Sequence, residues 1–489
     1  MRFLIIWLMA GLCIASNLSS AASIEWTFDR PLINAVEFAG ESAQATLAEN
    51  MKRYGVPGVS IARIEDNTII TLDAIGLADV ATGRQLSPQQ RFQAASISKP
   101  VAATGVMVLV GQQRVKLDGP VNEYLSSWTL PDSAFTKDDP VTLREALSHG
   151  GGISVPSYPG FERGAPMPSL LNILNGDANA YSDPVAVINP QNSYRYSGGG
   201  YMLLQQLIED VTGQDFELFM QQAVFQPARM NLSTFRVLDN EIEDLAGITF
   251  GHDGTGERRT DPWQDYPQAA PAGLWSTPED LAKWLITLGS AYQSNAEPII
   301  THTSARAMAR RETGDTGLGF GVHGQDDALH LSHTGWTIGY RSNILYFPAR
   351  GEGVVIMTNS DSGHLLINDL IRTLGREHGW PGFGDSIKLN RARWTEQKLD
   401  HTAGIYRMQP AGFSIQLARH EDAFELTTPR GSSYRLVPVG PHRLVIEETG
   451  EFIERDAETG ELALWGMTGT PVSVTSDGSA SISEGSGPG

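Results

Sequence analysis

Cysteine is almost absent from this chain. Cys13 is the only one among 489 residues, and it falls inside a thirteen-residue apolar run, Phe3–Ala15, that follows Arg2. Polar residues and then the small residues Ser20, Ala21 and Ala22 come next, the layout of a secretory signal cut after Ala22. The run is shorter than the roughly 20 apolar residues that span a bilayer, so a cleaved leader over 1–22 is expected rather than a retained anchor. The mature chain is then periplasmic or secreted, with no stable membrane insertion. Cys13 follows Leu12 rather than the Gly or Ala that precedes a lipid-attachment cysteine. Without residues 1–22 no cysteine remains, which excludes disulfides and thiol chemistry and leaves packing to supply stability.

Lysine is also scarce, with seven in the chain, and the net charge is −20. Such a balance disfavours nucleic acid and anionic lipid as partners and keeps an exported protein soluble. Neither a His-Glu-x-x-His nor a paired-cysteine pattern occurs. His330 and His333 are three apart without carboxylate companions, so no metal and no cofactor is expected. The segment His149-Gly150-Gly151-Gly152 imitates the oxyanion loop of lipase-type α/β-hydrolases, but their Gly-x-Ser-x-Gly elbow is missing. It reads instead as a helix end and loop.

A chain of this length with 41% hydrophobic residues implies more than one core. Val59, Ile61 and Ile64, then Asp66-Asn67, then Ile69, Leu72 and Ile75 predict two strands joined by a tight turn. A second strand-rich region runs from Gly317 to Asn359, including Leu318–Val322, Tyr340–Phe347 and Val354–Met357, and a helix over 364–376 closes it. Between the two regions the pattern is helical: Leu203, Leu204, Leu207, Ile208 and Val211 stop at Gly213, and Thr277-Pro278-Glu279-Asp280 announces another helix. A helical insertion therefore divides one sheet. From about 395 short alternating runs recur at spacings near ten, predicting a small antiparallel barrel or sandwich over 395–475. Gly379–Gly384 reads as the junction, and the Ser/Gly-rich tail, 476–489, as disordered.

Three short motifs carry chemistry. Ser96-Ile97-Ser98-Lys99 precedes a run, Pro100–Val110, apolar on every side, so Ser96 and Lys99 are expected one turn apart at the head of a buried helix. Burial favours a neutral amine able to take the serine proton. Tyr194-Arg195-Tyr196-Ser197-Gly198-Gly199-Gly200-Tyr201 leads into the helix near Met202, and a cationic lysine nearby would lower the Tyr196 pKa towards service as a base. His333-Thr334-Gly335 follows a predicted strand, whose edge can offer a backbone donor and side-chain hydrogen bonds to an acyl group.

In this order, 100 and then 137 residues apart, the motifs resemble the triplet of penicillin-binding proteins and serine β-lactamases. The resemblance covers about 35–380 and is closest to class C β-lactamases, D-alanyl-D-alanine carboxypeptidases and related esterases. Gly55–Ala62, Thr142–His149 and Pro271–Thr277 carry further local likeness. It implies a β-lactamase-like fold of α/β + α type over 23–385, an antiparallel sheet flanked by helices plus a helical domain, with the site in the cleft between them. It also implies an acyl-enzyme on Ser96, proton transfer by Lys99 and Tyr196, an oxyanion hole from the N–H groups of Ser96 and Trp336, and substrate contacts from His333, Thr334 and Gly335. The C-terminal all-β, barrel-like domain resembles the one appended to some esterase-like and D-aminopeptidase-like relatives, and packing is its expected role.

One departure matters. Gly198 stands where the family's second motif usually carries asparagine, and His333 replaces a lysine. Both tilt the expected substrate, a small molecule or peptide, towards an ester or a D-amino-acid-type amide and away from efficient β-lactam turnover. A β-lactamase or carboxypeptidase proper, and a non-catalytic sensor of the same fold, are the alternatives.

Overall fold

The computed structural model describes residues 27–41, 44–238, 245–294 and 299–472. The expected leader, 1–22, and the tail expected to be disordered, 476–489, lie outside the described residues.

Asp66 and Asn67 both take left-handed φ, 46° and 55°, which lets strands Gly58–Glu65 and Thr68–Asp79 fold back on one another. They join strands from the far end of the domain in a seven-stranded sheet. Its order is Arg84–Gln85, Thr68–Asp79, Gly58–Glu65, Glu352–Thr358, Tyr340–Phe347, His330–Thr337 and Gly321–His323. Successive side chains of a strand take opposite faces, and here both faces are covered. Val354 and Ile356 pack with Leu366 and Leu370 of the helix Gly363–His378, whereas Val355 and Met357 pack with Trp284 and Leu288 of the helix Pro278–Gln293. Hence the unbroken apolar run Val354–Met357.

The expected strand Leu318–Val322 is shorter, only Gly321–His323. Gly319 turns the chain at φ 93°, where a Cβ would lie 2.8 Å from that of Ala103, so Leu318 and Phe320 enter the core instead.

The helical layer is built on Ser98–Gly111, whose residues from Ser98 to Leu109 are all buried. Beside it lies Gly198–Thr212, capped by Ser197 and ended by Gly213 in the left-handed conformation. Thr277 caps the helix Pro278–Gln293. From Gly404 to Pro471 eight antiparallel strands close into a barrel. Its interior residues Ile415, Leu417, Phe424 and Leu436 belong to the same apolar cluster as Leu366 and Leu370, so barrel and sheet share one core. The junction is tied down as well: Ile387–Leu389 pairs in parallel with Val36–Phe38.

Two glycines separate steric need from conformational need. A Cβ on Gly289 would sit 1.7 Å from the hydroxyl of buried Tyr346, whereas one on Gly379 (φ +61°) meets nothing within 4 Å. Gly289→Ala is expected to cost about 3 kcal/mol through overpacking, and Gly379→Ala about 1 kcal/mol through backbone strain alone. Urea unfolding midpoints of the two variants measure the difference.

Candidate active site

Ser96 lies in a single 3-10 turn, Ala95–Ile97, that leads directly into the helix Ser98–Gly111. The turn begins with a strained residue: Ala95 has φ 51°, a conformation that side-chain-bearing residues avoid. It persists because neighbours grip the turn. The Ala94 N–H donates to Leu274 O at 2.8 Å, the Leu274 N–H donates to Ser98 Oγ at 2.9 Å, and Ser342 Oγ donates to Ala94 O at 3.1 Å. Gly335 passes so close to Ala94 that a Cβ there would lie 2.2 Å from its carbonyl oxygen.

Lys99 is 2% exposed. Its ammonium donates to Ser96 Oγ at 3.0 Å and to Pro271 O at 2.8 Å. Among the described residues it forms no ion pair with a carboxylate, and burial alone lowers its pKa from 10.5 to about 7. The sequence does not mark Pro271 and Ser98 as site residues, although Pro271–Thr277 carries one of the local likenesses.

Tyr196 is placed by the turn before Gly198–Thr212. Lys99 Nζ stands 4.7 Å from its ring centroid, and the Ser96 side chain is close enough to its hydroxyl to act on the phenol's pKa. The expectation of a lowered phenol pKa is overturned. Desolvation by burial dominates and pushes it up to about 12, with the Ser96 side chain opposing. The ring faces Lys99 with its π cloud, a weak interaction, and so cannot hold a phenolate against that desolvation. Tyr196 is therefore a neutral phenol near pH 7.

His149, read from sequence as part of a loop, packs its ring 4.5 Å from that of Tyr196 and accepts the Ser197 N–H on Nδ1 at 3.1 Å. Burial, followed by the Lys99 and His333 charges, holds its pKa well below the ordinary value. A neutral imidazole thus supports Tyr196 and fixes the start of the second motif. Its left-handed φ of 59° was the feature hidden behind the glycine-rich text.

His333 lies across from Tyr196, ring centroids 6.4 Å apart, with Nδ1 2.7 Å from Thr334 O. Burial and then the Lys99 charge lower its pKa to about 4. Strand Gly321–His323 pairs only with residues 330–332, so among the described residues no strand covers the outer edge from His333 to Trp336. Alternation puts His333 and Gly335 on one face, and Thr334 and Trp336, both exposed, on the other. Odd spacing likewise sends His330 away from His333, to Phe347 and Phe383, and no metal-binding group of three is found among the described residues.

Gly198 presents no side chain to the cleft, and the space beside it is filled. A Cβ there would be 3.1 Å from Cε2 of Tyr158 and 3.2 Å from Pro156 O. Among the described residues the buried Tyr158 hydroxyl has no hydrogen-bond partner.

A helix-covered antiparallel sheet beside a helical layer, with the three motifs meeting at their junction, is the β-lactamase-like fold. The beta-lactamase family profile matches residues 43–374, and the chain belongs to that family, whose homologues are serine hydrolases. It is 25% identical over 354 residues to the unguisins hydrolase of Aspergillus violaceofuscus, covering 64% of this chain and 60% of that one. It is 25% identical over 342 residues to penicillin-binding protein 4 of Amycolatopsis lactamdurans, covering 66% and 85%. The chain thus spans about 60% of the length of the first of these relatives. In fold it is similar to an octameric penicillin-binding protein homologue from Pyrococcus abyssi, with TM-score 0.59, 21% identity and coverage of 86% and 98%. SurE with D-Leu is similar at TM-score 0.54, 20% identity and coverage of 87% and 97%.

The displaced lysine pKa has a consequence for stability. Between about pH 7 and 10.5 the folded chain binds fewer protons at Lys99 than the unfolded chain, so this residue's cost is full below 7 and disappears as pH rises. The melting temperature of the parent relative to Lys99→Met is expected to climb from pH 7 to pH 10. A flat difference would show a lysine that stays charged in the fold.

Proposed function

We propose that the protein is an exported serine hydrolase that works through an acyl-enzyme on Ser96 and prefers esters to β-lactams. The observation that carries this reading is the buried, carboxylate-free Lys99 amine 3.0 Å from Ser96 Oγ. Near neutral pH a large share of that amine is unprotonated and can accept the serine proton as Oγ attacks the substrate carbonyl. Tyr196, protonated and beside Ser96, passes a proton to the leaving group and regains one from Lys99. The N–H groups of Ser96 and Trp336 take the developing oxyanion. Water then attacks the acyl carbonyl as the Lys99 amine takes one of its protons, and that proton passes to Ser96 Oγ as the acyl–oxygen bond breaks.

Labelling and pH dependence test this core. A fluorophosphonate is expected to add one label per chain, and Ser96→Ala to abolish it; intact mass reads the label and also whether 1–22 has been removed. For a nitrophenyl ester, kcat/KM is expected to fall about tenfold per pH unit below about 7, as Lys99 becomes protonated. A limb near pH 4 instead would move the base to another group.

The ester preference rests on Gly198 and Tyr158. An amide or β-lactam substrate finds no side-chain amide at this position, and one missing hydrogen bond to the transition state costs about 2 to 4 kcal/mol, or two to three powers of ten in rate. The ring and carbonyl beside Gly198 leave little room for an asparagine, so the informative variant is Gly198→Asn with Tyr158→Ala. It is expected to raise kcat/KM for a cephalosporin relative to a nitrophenyl ester. Brisk cephalosporin turnover by the parent would overturn the preference. The second reading is hydrolysis of a D-amino-acid-type amide, and the same panel decides it with a D-alanyl dipeptide.

A further inference from the structure

The barrel reaches the catalytic strand through a continuous set of contacts. Trp336 follows Gly335 on the strand His330–Thr337 and is 50% exposed. Its indole stacks on His364, with ring centroids 5.4 Å apart and an interplanar angle of 21°. The Arg341 guanidinium lies 4.0 Å from the indole centroid. Arg341 is itself fixed by Asp361 at 3.2 Å and by the carbonyls of Thr337 and Tyr340, each at 2.7 Å. His364 is the second residue of the helix Gly363–His378, and its Nε2 stands 3.0 Å from the hydroxyl of Tyr434. Tyr434 belongs to the barrel strand Ser433–Pro438. It is nearly buried and packed edge-on against Trp465, 5.8 Å away. A second bond beside it, Ser362 Oγ to Ser432 Oγ at 3.0 Å, clamps the same hairpin to the helix start.

At neutral pH neither partner of the central bond is charged. Burial lowers the His364 pKa to about 4 and raises that of Tyr434 to about 12. The contact is then a directional hydrogen bond between neutral groups, which sets an orientation without adding charge near the cleft.

We propose that Tyr434 is a positioning residue for the acyl site: through His364 it fixes Trp336, and with it the backbone of Gly335 and Trp336 that borders Ser96. The coupling is stiff because Gly335 has no slack against Ala94, the residue before the strained Ala95. The ring stacked on His364 and faced by Arg341 biases where the Trp336 backbone sits, and that strand has little room to move against the turn that carries Ser96. The proposal rests on the reading of Trp336 N–H as an oxyanion donor, and it gives the barrel a part in turnover beyond packing.

The test uses the full chain labelled with 5-fluorotryptophan. The Trp336 fluorine resonance is assigned by its loss in Trp336→Phe. Tyr434→Phe is expected to shift that resonance and to lower kcat for a nitrophenyl ester about three- to tenfold, the worth of one net hydrogen bond. KM is expected to hold, as for an interaction realised only in the transition state. His364→Phe keeps the stack but not the bond and is expected to match it, and the double variant to lose nothing further. An unmoved resonance, an unchanged kcat, or additive losses in the double variant each overturn the proposal. Melting curves separate these outcomes from misfolding: if Tyr434→Phe is destabilised, His364→Phe carries the test. Absence of a fluorophosphonate label on the parent counts against the Ser96 reading and removes this proposal with it, whereas a labelled, active parent indistinguishable from Tyr434→Phe counts against Tyr434 alone.

Discussion

Burying the Lys99 amine without a carboxylate partner costs the fold stability, and most of the local architecture is arranged around that cost. An ammonium in apolar surroundings sheds its proton unless a counter-charge holds it. Supplying an acid would stabilise the lysine and raise its pKa, leaving no neutral amine beside Ser96. The chain offers carbonyl and hydroxyl oxygens instead, from Pro271 and Ser96. These satisfy the donors while leaving the charge uncompensated. The two histidines at the site follow the same logic, since both are held neutral partly by the charge that Lys99 would carry.

Strain and close approach complete the arrangement. Ala95 sits in a left-handed conformation, and segments distant in sequence lock it there: Leu274 through Ala94 and Ser98, Ser342 and Gly335 through Ala94. Sheet and helical layer thus grip the Ser96 turn from opposite sides. Its geometry depends on the relation of the two layers, because Ser342 and Gly335 come from strands and Leu274 from the segment entering the helix Pro278–Gln293.

Much of the framework was legible because local chemistry announced it. Asp66-Asn67, Gly213 and Thr277 each mark a turn or cap at the residue where the backbone needs one. The run Pro100–Val110 is apolar on every side because its helix is enclosed on every side. The proximity of Ser96 to Lys99 followed from their spacing, and the order of the motifs pointed to the fold. What sequence could not carry were properties set by distant neighbours. The phenol of Tyr196 rises rather than falls because burial outweighs its contact with Lys99. His149 came to the site through one residue's left-handed turn, and Tyr158 fills the space beside Gly198 from a segment some forty residues earlier. The merger of the barrel's core with the sheet's was equally hidden, since alternating runs specify a strand's faces but not their partner.

The uncovered strand edge beside the site places an opposing demand on the surface. Among the described residues no strand covers the outer edge from His333 to Trp336, and an open strand edge is a template on which a second chain could add a strand. The barrel is closed and has no such edge. A net charge of −20 on every copy means that two such edges approach each other against mutual repulsion, which acts over about 10 Å at moderate salt. The acidity of the surface is then a colloidal safeguard: it holds copies of the protein apart and so keeps the open edge from pairing, and it weakens as ionic strength rises.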